Sequence, residues 1–70
     1  MSTHTFSWEK AAYAIDKYNN CLEIIRTYKG WVELNIFGHA TLCRAEDVLK
    51  WAAVYDKYDN LLHQYKREDL

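Results

Sequence analysis

The segment KAAYAIDKYNNCL at residues 10–22 recurs forty residues later as KWAAVYDKYDNLL at residues 50–62. Such internal similarity indicates two equivalent structural elements with the same buried face. Either a duplication or the convergence of two amphipathic helices of equal period would produce it. The identical pairs are Lys10/Lys50, Ala12/Ala52, Asp16/Asp56, Lys17/Lys57, Tyr18/Tyr58, Asn20/Asn60 and Leu22/Leu62.

Length and composition predict one small folded domain over residues 1–70, with a flexible N-terminus at 1–6 and a frayed C-terminus at 68–70. Half of the residues are hydrophobic, which is typical of a folded chain and not of a disordered one. The formal net charge of -1 provides no general attraction for nucleic acid. A signal-peptide pattern is absent, and no apolar run approaches the ~20 residues of a membrane span. We therefore expect a cytoplasmic protein.

Apolar residues in the first segment recur at three- and four-residue steps, as in a helix that packs against another helix. This spacing predicts an amphipathic helix over about residues 7–28, capped by Ser7 or Thr5 and ending near Gly30. A competing interpretation places strands over residues 13–28, but the unbroken helical spacing favours the helix. The residues of the stripe are Trp8, Ala11, Ile15, Tyr18, Leu22 and Ile25.

The second segment has the same spacing and predicts a second helix over about residues 44–67. Its start resembles a capping box, with Cys43 in place of the usual hydroxyl residue and Glu46 three positions later, and Thr41 is the competing cap. Glu46 and Asp47 would interact favourably with the positive end of the helix dipole. The apolar stripe consists of Val48, Trp51, Tyr55, Tyr58, Leu62 and Tyr65.

Between these segments, residues 31–37 alternate between apolar and polar side chains, as a half-buried strand does. They predict a short β-hairpin over about residues 31–42, with a turn at Gly38–His39. The predicted fold class is therefore α+β: two antiparallel amphipathic helices joined by a short β-hairpin and dominating the fold. In that arrangement Ile15 would lie near Tyr58.

The apolar stripes are broader than a two-helix seam can cover. A second copy of the chain could cover the remainder, in a four-helix arrangement that joins the edge strands of the two hairpins. The sequence therefore predicts a homodimer.

No catalytic residue, metal ligand or cofactor is predicted. His39 and Cys43 could form a base and a nucleophile, but no third residue is available to orient them. Cys21 and Cys43 would lie too far apart in the helical arrangement for a disulfide or a shared zinc ion. These observations favour a protein that is not an enzyme.

Aromatic residues are the strongest remaining functional signal, because tyrosine and tryptophan dominate the binding hot spots of protein interfaces. Tyr13 is difficult to place in one small core, and Trp31 and Phe37 flank the predicted strand on the face opposite its aliphatic row. The repeat also displays an Asp-Lys pair twice. The sequence thus predicts a small protein-interaction module that binds a larger protein, as an inhibitor or adaptor of the kind encoded by phages or mobile elements. The candidate partner-binding residues are Tyr13, Trp31, Phe37, Asp16, Lys17, Asp56 and Lys57.

Two alternative functions remain open. The first is a homodimeric nucleic-acid-binding regulator with four lysines on one helix face, although interleaved acidic residues weaken this interpretation. The second is a small-ligand binder with an aromatic-lined cleft between the helices. The four lysines are Lys10, Lys17, Lys50 and Lys57.

Overall fold

Within residues 7–65, which a computed structural model describes, the chain forms a six-stranded antiparallel sheet and one short α-helix. The strand order in the sheet is β4-β3-β2-β1-β5-β6. A single 3-10 turn over Trp8–Lys10 precedes the first strand. The elements are β1 (Ala11–Asp16), β2 (Cys21–Tyr28), β3 (Trp31–Ile36), β4 (His39–Arg44), α1 (Ala45–Trp51), β5 (Ala52–Asp56) and β6 (Leu61–His63).

The prediction of a helix over residues 7–28 is wrong, because this segment forms β1, a tight loop and β2. A helical stripe would bury Tyr18 and Ile25 together with Leu22. In the structure Leu22 is buried, whereas Tyr18 is 71% exposed and Ile25 is 41% exposed. The residues of the predicted helical stripe therefore do not share one face: some lie on opposite faces of the sheet, and one lies in a loop.

The predicted second helix begins close to the expected position but is much shorter. Arg44 is its N-cap and makes no capping bond through its side chain, so the predicted capping box does not form. The helix ends at Trp51, where Ala52 adopts extended angles (φ -139°, ψ 146°). Strand β5 then pairs with β1 along its length. Tertiary pairing thus overrides the helical preference of an alanine-containing segment.

The β-hairpin predicted over residues 31–42 is present as β3 and β4, and it extends to Arg44. It is one part of a larger sheet and does not pack against a pair of helices. The predicted contact between Ile15 and Tyr58 is wrong, because Ile15 lies opposite Ala53 and Cys21. The expectations for residues 1–6 and 68–70 lie outside the described part of the chain.

The hydrophobic core lies on one face of the sheet, which we call the inner face, beneath α1. Helix α1 connects β4 to β5 across this face, and Val48 of α1 is fully buried. At the sheet edge formed by β6, the imidazole Nε2 of His63 lies 2.7 Å from the carbonyl oxygen of Leu49 in α1. The buried cluster comprises Ala14, Leu22, Val32, Leu34, Ala45, Val48, Ala52 and Val54.

The opposite side of the sheet, which we call the outer face, is covered by no other element among residues 7–65. Antiparallel sheets commonly pack one face on a core and leave the other exposed to solvent. No helix in this part of the chain combines the length and the apolar character needed to cross a membrane. The strand registers place on the outer face Tyr13, Ile15, Cys21, Glu23, Arg26, Tyr28, Trp31, Glu33, Asn35, Ala40, Leu42, Arg44, Ala53, Tyr55 and Leu61.

Candidate protein-binding surfaces

The repeated sequence forms two hairpin loops, which we call the first loop (residues 16–20) and the second loop (residues 56–60). In the first loop, Asp16 Oδ1 accepts hydrogen bonds from the backbone N–H groups of Tyr18 and Asn20, each at 2.9 Å. The side-chain amide of Asn20 donates to Asp16 Oδ2 at 3.0 Å. One carboxylate therefore organises the whole turn.

The second loop repeats this network atom for atom. Asp56 Oδ1 accepts from the backbone N–H groups of Tyr58 and Asn60 at 2.8 Å, and the Asn60 amide donates to Asp56 Oδ2 at 3.1 Å. The fourth residue of each loop is left-handed, with φ of 70° at Asn19 and 69° at Asp59. Asparagine and aspartate tolerate this conformation better than most residues do. The repeat is thus a structural equivalence, although of hairpin loops and not of helices.

Hydrogen bonding explains the aspartates and asparagines of the repeat, but it does not explain the identical Lys-Tyr pair. Tyr18 and Tyr58 are 71% and 72% exposed, and the loops use only their backbone N–H groups. Lys17 Nζ lies 5.3 Å from the centre of the Tyr18 ring, and Lys57 Nζ lies at the same distance from Tyr58. Each loop therefore presents the same lysine-covered tyrosine to solvent.

The two hairpins are related by an approximate two-fold axis. Strands β1 and β5 pair antiparallel with Ala14 opposite Val54, and these two residues are themselves equivalent in the repeat. The relation extends outward, because the pair Ile15–Cys21 corresponds to the pair Tyr55–Leu61. The axis is perpendicular to the sheet, so the two loops lie at opposite ends of it.

Hydrogen bonding also sets the acidity of the loop carboxylates. Burial alone would raise the pKa of Asp16, but the hydrogen bonds from Asn20 and Tyr18 outweigh it and hold the pKa below its usual range. The backbone N–H of Asn60 is the main cause of the lowered pKa of Asp56, and Lys10 contributes. Both carboxylates are therefore ionised at neutral pH and occupied by their own loops.

The two-fold relation breaks at Tyr13, which is one of the predicted partner-binding residues. The Tyr13 ring stacks on the Tyr55 ring, with 5.1 Å between ring centres and 7° between ring planes. The two-fold axis relates this pair to Ala53 and Ile15, which have no aromatic rings. The Tyr13 hydroxyl donates to Asp59 Oδ1 at 2.6 Å. This hydrogen bond is the main cause that raises the Tyr13 pKa to about 12. Tyr13 thus ties the outer face to the second loop.

Phe37 occupies a two-residue turn of the sheet. The two-residue turn between β3 and β4 has φ of 52° at Phe37 and 87° at Gly38, and the Gly38 N–H donates to Asn35 Oδ1 at 2.8 Å. Turns of this kind favour Asn-Gly, because a bulky residue is strained at positive φ. The Phe37 side chain is 76% exposed, so packing does not compensate for the strain.

Phe37 and the first loop lie at the same end of the sheet, which we call the Phe37 end. An open cleft of about 350 Å³ separates them. The cleft is lined by both polar and apolar residues: Asn20, Cys21, Leu22, Glu23, Asn35, Phe37 and Gly38.

The other end of the sheet carries Trp31 and the second loop. Trp31 is 40% exposed, and the guanidinium carbon of Arg44 lies 5.6 Å from its ring centre. A cleft of about 480 Å³ at this end is lined by both signs of charge. Its residues are Glu9, Lys10, Ala11, Ala12, Asp56, Lys57 and Tyr58.

The seven predicted partner-binding residues therefore do not form one site. Phe37, Asp16 and Lys17 lie at the Phe37 end, Trp31, Asp56 and Lys57 lie at the other end, and Tyr13 lies between them on the outer face. Sequence reasoning missed Tyr18 and Tyr58 because it assigned them to a core stripe. The Asp-Lys-Tyr-Asn-Asn composition, typical of turns, could have identified them.

The structural premises of two alternative functions fail. Residues 7–65 contain one α-helix, of seven residues, so they form no cleft between two long helices. The proposed lysine row is also absent, since Lys17 and Lys57 lie in loops at opposite ends of the sheet and Lys50 lies in α1.

The chemistry-bearing side chains are dispersed. Cys21 and Cys43 are both free, and burial, with a smaller contribution from Asp47, raises the pKa of Cys43. Among residues 7–65, no three histidine, cysteine or acidic side chains are grouped so that they could hold a metal ion.

Comparisons with known proteins found no relative of this chain. No family model matches the sequence, and neither the curated proteins nor the solved structures contain a significant match.

Proposed function

We propose that this protein is a small, non-enzymatic interaction module that binds a larger protein through its Phe37 end. The supporting observation is Phe37 itself, a bulky residue held at φ 52° and 76% exposed. A residue of this kind in the left-handed region costs about 1–2 kcal/mol, and a side chain that is 76% exposed buries little area to offset that cost. Strain of this type concentrates at sites of function.

The surroundings of Phe37 suit a protein partner. Tyr18, which is 71% exposed, projects from the first loop at the same end. The cleft between Phe37 and the first loop is bordered by amide and carboxylate groups. Large aromatic anchors beside polar groups are characteristic of the centre of a protein interface. Lys17 adds a positive charge above the Tyr18 ring.

We place this activity in the cytoplasm. Two free cysteines, one of them exposed, are compatible with a compartment that keeps thiols reduced. Inhibition and scaffolding by such a module would both consist of occupying a surface on the larger protein.

The substitution Phe37→Asn tests the proposal, because it separates binding from stability. Asparagine is preferred at this turn position, so the melting temperature should rise by a few degrees. Loss of an aromatic anchor should weaken binding by about thirtyfold, as expected for a hot-spot residue. Partners would first be isolated on the immobilised protein, and each would then be purified and titrated by calorimetry against the wild-type chain and the variant.

Tyr58→Ala is the matched control, because Tyr58 is as exposed as Tyr18 but lies at the opposite end of the sheet. Binding should survive this substitution and should be lost with Tyr18→Ala. A purified partner that binds the Phe37→Asn variant as tightly as the wild-type chain would refute the assignment of the contact to this end.

A further inference from the structure

The two edges of the sheet differ in how well they resist pairing with another strand. Strand β6 has three residues, and its register with β5 shifts between Val54 and Tyr55. Strand β4 has six residues and pairs with β3 without any shift, from Trp31–Arg44 to Ile36–His39. Short strands and irregularities protect an edge, whereas a long regular edge is a template for pairing.

The register between β3 and β4 determines which backbone groups of β4 point away from the sheet. The two-residue turn makes Ile36–His39 a hydrogen-bonded pair, and such pairs then alternate along the hairpin. The bond from the Ala45 N–H to the Gly30 carbonyl, at 3.0 Å, continues this alternation. The N–H and C=O groups of Ala40, Leu42 and Arg44 therefore point outward.

The side chains of β4 do little to discourage a partner strand. The chain contains no proline, and among the lysine, arginine, aspartate and glutamate residues β4 contains only Arg44, at its last position. Leu42, in the middle of the strand, is 54% exposed on the outer face. Helix α1 begins immediately after β4 but crosses the inner face, so it leaves the edge open.

We propose that β4 pairs antiparallel with β4 of a second copy of this chain and joins the two sheets into one of twelve strands. Self-pairing about a two-fold axis requires that outward-pointing residues oppose one another. The register centred on Leu42 meets this condition and places Leu42 against its own copy. In that register Ala40 faces the partner copy's position 44, and Thr41 faces its position 43.

This register also fits the side chains. The exposed leucines cover each other across the axis, and the long Arg44 lies opposite the small Ala40, which leaves room for its contact with Trp31. No two like charges face each other. Domains of about this size frequently depend on association for part of their stability. This proposal is independent of the function proposed above, because it involves an edge and not the Phe37 end.

The first test is sedimentation velocity on the full chain under reducing conditions, from low to high micromolar concentration. We expect a reversible dimer. Leu42→Lys should shift the chain to monomer, because it opposes two positive charges at the axis of the interface. Leu61→Lys is the control: Leu61 is 51% exposed on the same face but lies at the other edge, so the dimer should persist.

The second test fixes the register with two substitutions at one position. Ala40→Glu places a carboxylate opposite Arg44 of the other copy and should tighten the dimer by roughly fivefold, whereas Ala40→Lys should weaken it by a similar factor. Hydrogen exchange followed by NMR should show that the amide of Leu42 becomes protected as concentration rises, whereas that of Thr41 is protected throughout.

A chain that remains monomeric at high micromolar concentration overturns the proposal. So does a dimer that Leu42→Lys leaves intact, because its interface then lies elsewhere. Equal effects of the two Ala40 substitutions would overturn the register. Circular dichroism spectra of each variant would establish that a monomeric species is still folded.

Discussion

The β1–β2 and β5–β6 hairpins are closed by the same loop but occupy different places in the sheet. In the first hairpin both strands lie inside the sheet, and β2 reaches eight residues. In the second hairpin β6 is an edge strand of three residues. Both loops nevertheless form the same three hydrogen bonds. Five residues thus determine the loop, whereas the neighbouring strands determine how far each hairpin extends.

The largest effect on stability should come from substitutions at the two-fold axis, where Ala14 and Val54 lie opposite each other and are both fully buried. Val54→Ala should lower the free energy of unfolding by about 2 kcal/mol, through lost burial and a cavity. Ala14→Val should destabilise the domain by about 1–3 kcal/mol through overpacking. The measurement is urea denaturation of both variants.

Combining the two substitutions exchanges the residues and conserves their total volume. Because the side chains are direct neighbours, the double variant should be at least about 0.5 kcal/mol more stable than the sum of the single effects predicts. Strict additivity would show that the two sites do not share a packing environment.

An intermediate effect should come from removing the carboxylate of each loop. Asp16→Ala should lower the melting temperature by roughly 5 °C, the equivalent of about 1 kcal/mol of hydrogen bonding. Asp56→Ala should have a smaller effect, because hydrogen bonds of the first loop are partly buried and those of the second are exposed. A larger loss from Asp56→Ala would reverse this ranking. Thermal denaturation followed by circular dichroism provides the comparison.

The same variants predict how stability depends on pH. The pKa values of Asp16 and Asp56 are lowered in the folded protein, so their contribution is complete above the pKa of an unfolded aspartate, near 3.9. It is lost as the pH falls through the folded values. Melting temperatures measured down to about pH 3 should therefore fall less in each alanine variant than in the wild-type chain.

The smallest effect concerns the position at which the loops differ, Asn19 in the first and Asp59 in the second. The hydrogen bond from Tyr13 to Asp59 raises the Tyr13 pKa to about 12. Asp59→Asn should return this pKa toward the ordinary value near 10, as measured by ultraviolet absorbance of tyrosinate. Asn19→Asp is the control and should leave the titration of Tyr13 unchanged. Equal titration curves for the wild-type chain and Asp59→Asn would contradict the assignment.

Parts of the structure could be predicted from local sequence because the deciding interactions are local. The alternation of Val32 and Leu34 with polar neighbours identifies β3, and the forty-residue repeat identifies two equivalent elements. The start of α1 at Ala45 also lies one residue from its predicted position. Phe37 was proposed as a binding residue because it flanks the predicted strand on the face opposite the aliphatic row; its side chain is 76% exposed, and its role in binding stays a prediction.

The errors arose where local periodicity was ambiguous. Leu22 and Ile25 fit a helical stripe, but both lie in β2, where Leu22 is buried and Ile25 is exposed. Tyr18, from the same stripe, lies in a loop. The aspartates and asparagines of the repeat are turn residues, and the segment around them is rich in β-branched and aromatic residues. These two signals together favour strands, and they were given less weight than the helical spacing.

The sequence by itself determined the β3–β4 hairpin and the presence of a repeated element, because alternation within one strand and identity at a fixed interval of forty residues specify them. Only the tertiary structure decided that the repeats are strands and that β5 pairs with β1 about Ala14 and Val54. Within residues 7–65 it also left one face and the β4 edge uncovered. The physical reason is that ladder hydrogen bonds join residues some forty positions apart, and no local pattern encodes which strands will meet.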